Sequence, residues 1–429
     1  MQISQKILQQ FLKQSKPLNQ LTASSLQNLQ KYQAKSIDSK QIPNLHLNLF
    51  FPDQIKQGFY TQTNLFLSNQ EIKSKNPRIA FKNQPPGTDI GIGSVFFLNE
   101  EIRFSILLPE KLSSTNPHLD TITKEIPGIC KKYNLYSGNE IKASSFAHLP
   151  GYISDKISRS GLKNIVQIYI ALFDLDDMVD AHRAPDLDEL EKECKRFVEI
   201  SKGNPCLDSD SGRVKAYATA ITELLKEPGF SENRSIVHRT LHQYLDSILI
   251  EARVKKQFLR DKNHQPLSEP SYSKYISDRR HTSGLYHALA LVVATLGLPI
   301  EKVWDEMPFA SLIDASVVTG CLLNDIVSAQ KEYKELQNSY KSQEVIFNSC
   351  TTNAVLLKIR SGLSPKNAVD ATIQEYNDSY HAFLESKRDL GHFSYPSKEA
   401  IIDVFECFIR AHWKWIGVTL QRYIGTKLG

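Results

Sequence analysis

Three oxygen-bearing side chains recur at intervals of four in the stretch Asn324-Asp325-Ile326-Val327-Ser328-Ala329-Gln330-Lys331-Glu332. On a helix, Asn324, Ser328 and Glu332 share one face over roughly 12 Å of axis, and the long Glu332 side chain leans back toward the other two. An amide carbonyl, a hydroxyl and a carboxylate converging in this way form a hard-oxygen half-site. It suits a magnesium ion that keeps some waters and takes further oxygens from a phosphate. A solvated polar stripe is the alternative for such residues. Upstream the same face carries the small residues Ser316, Val317, Gly320 and Cys321, which predicts that it opens onto free volume.

A second set of oxygens lies in Phe173-Asp174-Leu175-Asp176-Asp177-Met178-Val179-Asp180, after the apolar run 165–172. Asp176 and Asp180 are one helical turn apart, with Tyr169 and Phe173 one to two turns back on the same side. Carboxylates this close repel one another unless a cation neutralises them, and the apolar run before them, which makes the cluster the end of a buried helix, favours a metal over a solvated helix end. A third stretch, Arg279-Arg280-His281-Thr282-Ser283-Gly284, precedes the apolar run 285–296. Two guanidiniums at the start of a buried helix oppose its dipole. An anionic ligand gripped by Arg280 would resolve the conflict, and so would an ion pair with Asp278 or a carboxylate elsewhere. The dipeptide Arg422-Tyr423, after Trp413 and Trp415, means nothing on its own.

The elements that must position these groups are helical. From about residue 109 onward the chain is a succession of helical patterns. Breaks fall near Pro117, Pro150-Gly151, Pro185, Gly203 to Gly212, Pro228-Gly229, His264 to Pro270, Pro299, Gly362 to Pro365 and Gly391 to Pro396. The fold class expected is all-α, a single large helical domain around a central cavity, over residues 105–429. Residues 1–104 form an N-terminal extension rich in Gln, Asn, Ser and Lys. In it Ile3, Ile7, Leu8, Phe11 and Leu12 fit an amphipathic helix, Leu21, Leu26 and Leu29 a second, and Val95 to Leu98 with Ile102 to Leu108 a hairpin about Asn99.

Composition narrows the function classes. A chain of 429 residues that is 41% hydrophobic can bury a proper core, and +5 from 52 basic and 47 acidic residues is too mild to imply nucleic acid. Six scattered cysteines without a CxxC pair fit a reduced compartment. No secretory signal is visible, and the longest apolar run, residues 288–298, is too short to cross a bilayer. A cytoplasmic protein without a transmembrane segment is expected, and a homodimer is left open.

Together the four stretches resemble the class I terpene synthases, or terpene cyclases, of the microbial type. Asp176-Asp177-Met178-Val179-Asp180 is similar to the family's DDxxD motif, Asn324, Ser328 and Glu332 to its NSE triad, Arg279-Arg280-His281-Thr282-Ser283-Gly284 to its RRxTxG segment, and Arg422-Tyr423 to its terminal RY pair. Asn116-Pro117-His118 is similar to the opening segment, so the likeness covers roughly residues 105–429. It implies the class I terpenoid synthase fold and a prenyl diphosphate substrate bound with three magnesium ions. By that resemblance Asp176 ligates two ions with Asp177 and Asp180 in support, while Asn324, Ser328 and Glu332 hold the third. Arg280 is then the diphosphate sensor, Ser283 the linker and the Gly284 carbonyl the effector, with Lys331, Arg422 and Tyr423 closing over the diphosphate. Two departures are visible: Thr419 and Trp415 each lie one residue farther from Arg422 than the family's closing segment has them, and the first hundred residues have no counterpart in the minimal domain.

The chemistry expected is heterolysis of an allylic carbon–oxygen bond and cyclisation of the cation to a hydrocarbon or alcohol. Phe173 and Tyr169 are the aromatic faces best placed by helical phase, with Trp413 or Trp415 as further candidates, and Ser316 and Gly320 leave volume for the folding chain. Farnesyl diphosphate is the first substrate expected and geranylgeranyl diphosphate the next. Rivals are a chain-elongating prenyl diphosphate synthase, which lacks here a second Asp-rich motif, and a non-catalytic helical binding protein. A protonation-initiated cyclase is suggested only by Asp174-Leu175-Asp176-Asp177, in which Asp174 is taken as incidental.

Overall fold

Leu98 and Asn99 both turn with positive φ, +47° and +70°, and so form the two-residue loop whose twist matches a right-handed hairpin. The loop joins β1 (Thr88–Phe97) to β2 (Glu100–Pro109), paired antiparallel from Phe97↔Glu100 to Thr88↔Pro109. The hairpin expected about Asn99 is present, with both strands longer than expected and Leu98 in the loop instead of the first strand. A computed structural model describes residues 84–429 apart from 112–113, 137–138, 181–185, 228, 261–271, 341, 351, 420–425 and 429. The proposed helices over Ile3 to Leu12 and Leu21 to Leu29 lie outside the described residues.

Behind the hairpin come α1 (Leu119–Tyr133), α2 (Glu140–Ser145), α3 (His148–Ile153), α4 (Arg159–Asp180), α5 (Leu187–Ser201), α6 (Gly212–Leu224) and α7 (Arg234–Arg260). They are followed by α8 (Tyr272–Thr282), α9 (Leu285–Thr295), α10 (Phe309–Ser339), α11 (Gln343–Ser349), α12 (Ala354–Arg360), α13 (Pro365–Leu390), α14 (Lys398–Val418) and a short β3 (Thr426–Leu428). The predominance of helix is as expected. Caps follow residue chemistry: Asp186, Ser211 and Ser364 accept backbone N–H groups at the starts of α5, α6 and α13. Pro150, expected to interrupt, instead sits inside α3, in the first turn where a missing N–H costs no intrahelical bond.

Most helices bury one stripe, but α9 and most of α10 are apolar nearly all round and form the centre. Leu289, Leu291, Val292, Leu312, Val317 and Ile326 are all fully buried. By length and composition Phe309–Asn338 of α10 would suffice to cross a membrane, and its apolar window is 83% buried inside the protein. The hairpin is docked on this helical body. Leu107 N–H donates to Asn377 Oδ1 of α13 at 2.9 Å, Arg410 of α14 pairs with Asp89 at 2.8 Å, and Leu98 N–H reaches Gln330 Oε1 of α10 at 3.2 Å. The boundary drawn at residue 104 therefore falls inside β2. The strand order is β2-β1-β3, with β3 antiparallel to β1 through Gly93↔Leu428 and Val95↔Thr426. Asn116 ties the entry of the helical body, donating to the Ser154 and Ile157 carbonyls at 3.0 and 2.9 Å.

Candidate active site

The apolar face of α4 buries Ile165, Val166, Tyr169, Leu172 and Leu175, and this anchors the acidic end that follows. There the carboxylates part company. Asp174 Oδ2 receives Arg213 Nε at 2.5 Å, Asp177 is paired with Lys142, and Asp176 Oδ1 accepts the Tyr244 hydroxyl of α7 at 3.4 Å. The crowding that favoured a metal is thus partly answered by the protein's own cations at Asp174 and Asp177, each placed by an element distant in sequence. Asp176 is the member turned toward Tyr244. The side chain of Asp180 is outside the described residues.

Arg279, Arg280 and His281 occupy the last turn of α8, where the negative end of the helix dipole favours cations. The expected conflict with a helix start does not arise, because a break separates them from α9. Ser283 makes the break, donating to Arg280 O at 3.2 Å and accepting Leu285 N–H at 3.3 Å. Gly284 then takes φ +68°, and its backbone lies so close to Tyr244 that an added Cβ would stand 3.2 Å from the ring. The Gly284 carbonyl accepts Ala288 N–H at 2.9 Å, and a carbonyl oxygen has two lone pairs.

The two guanidiniums diverge. Arg279 Nη2 donates to Asn324 Oδ1 at 3.0 Å and Nε to Asp325 Oδ1 at 3.2 Å. Arg280 Nη2 lies 3.2 Å from Asp314 Oδ2, while Tyr286 donates to the other Asp314 oxygen at 2.6 Å. Both arginines therefore meet carboxylates of α10, and Asp278 instead meets Lys274. The ion-pair alternative holds, with partners the local sequence did not name. Asp314 had one signal, a lone carboxylate within the otherwise uncharged run 309–324, which needs a partner. Tyr244 and Lys142 had none.

On α10, Ser328 Oγ donates to Glu332 Oε1 at 2.5 Å, bringing the second and third members of the triad together. Asn324, one turn earlier on that helix, accepts a hydrogen bond from Arg279. Loss of water around the half-buried Glu332 carboxyl pushes its pKa up to about 7, and the neighbouring Asp325 charge adds to the rise. A carboxylate held at such cost beside a hydroxyl is a pair of hard-oxygen donors that fits a divalent cation. Lys331 lies 3.5 Å from Glu335 on the same helix. Upstream, the small face does not open onto free volume as expected. Ser316 is fully buried, and a Cβ at Gly320 would stand 2.6 Å from Leu285 Cδ1 and 3.0 Å from His412 Nδ1. The small residues admit close helix packing instead.

Of the aromatic candidates, Phe173 stacks on Phe146 with centroids 4.0 Å apart, and Tyr169 meets Phe173 edge-on at 6.3 Å. Trp415 donates to Ser145 O at 2.9 Å, next to Phe146 in sequence. Trp413 is set apart, edge-on to Phe104 beneath the hairpin at 6.3 Å. Arg422 and Tyr423 lie outside the described residues, between α14 and β3.

Residues 279–284 are therefore the bridge of the site. Gly284 touches Tyr244, which reaches Asp176, and Arg279 reaches Asn324. Residues 167–382, about half of the chain, match the family profile described as "Terpene synthase family 2, C-terminal metal binding". Among solved structures the chain is similar to α-eudesmol synthase (TM-score 0.57, 15% identity, covering 72% of this chain and 97% of that one). It is also similar to germacradien-4-ol synthase from Streptomyces citricolor (0.54, 13%, 71% and 97%). A third likeness is to hedycaryol synthase in complex with HEPES (0.54, 18%, 73% and 97%). At these identities the likeness carries the fold alone, and no curated protein matches the chain in sequence. Because the profile match spans both the acidic end of α4 and the triad of α10, on a helical fold shared with these synthases, the chain belongs to the class I terpene synthases.

Proposed function

We propose that this terpene synthase ionises a prenyl diphosphate, farnesyl diphosphate first, and cyclises the resulting cation to a terpene hydrocarbon or alcohol. The observation that carries the reading is the bridge 279–284, which ties the acidic end of α4 to the triad helix through Tyr244 and Arg279. The neighbours' names, synthases of α-eudesmol, germacradien-4-ol and hedycaryol, support a terpene product. Asp176, with Asp177 and Asp180, and the triad Asn324, Ser328 and Glu332 would hold three magnesium ions. Bound there, magnesium would neutralise the charge that gathers on the departing diphosphate. A cytoplasmic location is proposed with it, on the free cysteines.

The residues' parts follow from charge. When the allylic carbon–oxygen bond breaks, its electron pair leaves with the diphosphate oxygen. Arg280, held in place by Asp314, would receive that charge as a preorganised donor, with Lys331, Arg422 and Tyr423 closing over the diphosphate. Ser283 shapes the break that carries Gly284, whose carbonyl dipole would face the cation. The π-faces of Phe173 and Tyr169 would steady the cation and exclude water until it loses a proton or is quenched by a single water.

The test is incubation of the purified chain with ten-, fifteen- and twenty-carbon prenyl diphosphates and magnesium, with gas chromatography of the products and a diphosphate-release assay. A cyclic product that vanishes in the Asn324→Ala, Glu332→Gln double variant is expected. Incorporation of labelled isopentenyl diphosphate would mark a chain-elongating enzyme instead, and no diphosphate release from any substrate would leave a binding protein.

A further inference from the structure

Asn353, immediately before α12, is fully buried and faces two helices at once. Its Oδ1 accepts the backbone N–H groups of Val355 at 3.0 Å and Leu356 at 3.2 Å. Those two donors settle which end of the amide is oxygen, because an NH2 group there would have no acceptor. The Nδ2 end is consequently turned toward α10. It lies 3.0 Å from the Asp325 carbonyl, 3.2 Å from Ser328 Oγ and 3.3 Å from Glu332 Oε1.

Hydrogen counting makes the arrangement directional. The Ser328 hydroxyl has one proton, given to Glu332 Oε1 at 2.5 Å, so toward Asn353 it acts as acceptor. Asn353 has two protons for three acceptors, one of them shared between Ser328 and Glu332. Both donors reach the same carboxylate oxygen, Oε1, which leaves Oε2 for another partner. The next residue continues the clamp, since Ala354 N–H donates to Asp325 Oδ2 at 3.0 Å, on the carboxylate that holds Arg279. A simple helix cap needs only the Oδ1 half of this side chain. Of the Nδ2 half, one proton goes to the Asp325 carbonyl and the other is shared by Ser328 and Glu332, two residues of the triad.

We propose that Asn353 is a positioning residue that orients the Ser328 hydroxyl and the Glu332 carboxylate as one ligand pair for a divalent cation carrying diphosphate. This rests on the functional reading above. It adds that the pair's geometry is imposed from α12 and does not arise from α10 alone.

Asn353→Ser separates the two halves of the side chain, since serine caps a helix but cannot extend a donor to Ser328 and Glu332. The readout is thermal stabilisation of the full chain by magnesium chloride with inorganic diphosphate, beside its Tm without them. We expect the metal-free Tm of Asn353→Ser to stay within a few degrees of the parent while the half-saturating magnesium concentration rises about tenfold. In a double-mutant cycle, Ser328→Ala should weaken magnesium binding less in the Asn353→Ser background than in the parent. Parent-like magnesium binding by Asn353→Ser, or full additivity with Ser328→Ala, would overturn the proposal and leave Asn353 a cap. A large fall in metal-free Tm in both Asn353→Ser and Asn353→Thr, which also caps, would do the same. No magnesium-dependent stabilisation of the parent itself would instead remove the functional reading.

Discussion

The Arg280 guanidinium rests 3.2 Å from Asp314, a carboxylate pinned on its far side by the Tyr286 hydroxyl at 2.6 Å. The side chains are only 15% and 21% exposed, so the pair is shielded enough for its geometry to matter. Asp314→Asn keeps the shape and removes the charge that holds Arg280. A roughly tenfold fall in kcat/KM is expected, about 1.4 kcal/mol, mostly as a higher KM for the prenyl diphosphate. Steady-state kinetics checks it, and an unchanged KM would mean that Arg280 needs no support from α10.

The acidic end of α4 divides into unequal members. Asp177 is paired with Lys142 and about a third exposed, whereas Asp176 meets Tyr244. Asp176→Asn should lower turnover by about a hundredfold or more, and Asp177→Asn by about tenfold or less, on the scale typical of lost transition-state electrostatics. Equal losses in the two variants would show that Lys142 releases Asp177 for the reaction.

Gly284 combines φ +68° with a tight approach to the Tyr244 ring. Gly284→Ala should cost about 1–2 kcal/mol from the left-handed backbone alone, lowering Tm by a few degrees, and should push Tyr244 away from Asp176. Tyr244→Phe removes the hydroxyl without the backbone cost. Calorimetry should therefore show a stability loss confined to Gly284→Ala, while both variants turn over more slowly.

Two buried imidazoles give the fold a pH dependence. Burial holds both His287 and His412 down to about 3, and Arg279 reinforces the effect at His412. In the unfolded chain each would protonate near pH 6.5. No penalty exists above that pH; as pH falls below it the unfolded state binds more protons, and stability declines until the folded forms protonate near 3. The slope contributed by each is at most about 1.4 kcal/mol per pH unit. Urea unfolding at pH 7, 6 and 5 should show the decline, and His287→Asn should flatten it; parallel curves for parent and variant would exclude His287 as a source.

What lay within one helix was legible in the residues. The spacing of four brings Ser328 to Glu332, the apolar run before Phe173 buries α4, and Leu98-Asn99 closes a hairpin. These depend on backbone periods of 3.6 and 2 and on turn chemistry, which a sequence carries locally. The RRxTxG segment was legible as a motif but misplaced electrostatically. It ends α8 and does not open α9, because Ser283 and Gly284 break the helix between them.

The sequence by itself determined the helical class, the order of the motifs and which side chains share a face, since each follows from neighbours a few residues away. Only the tertiary structure decided what every charge meets: Arg280 with Asp314, Asp177 with Lys142, Asn353 with Ser328 and Glu332. Those partners are 21 to 35 residues apart. Their meeting depends on how helices cross and how closely small residues such as Gly320 let them approach, a property of packing that no local period encodes.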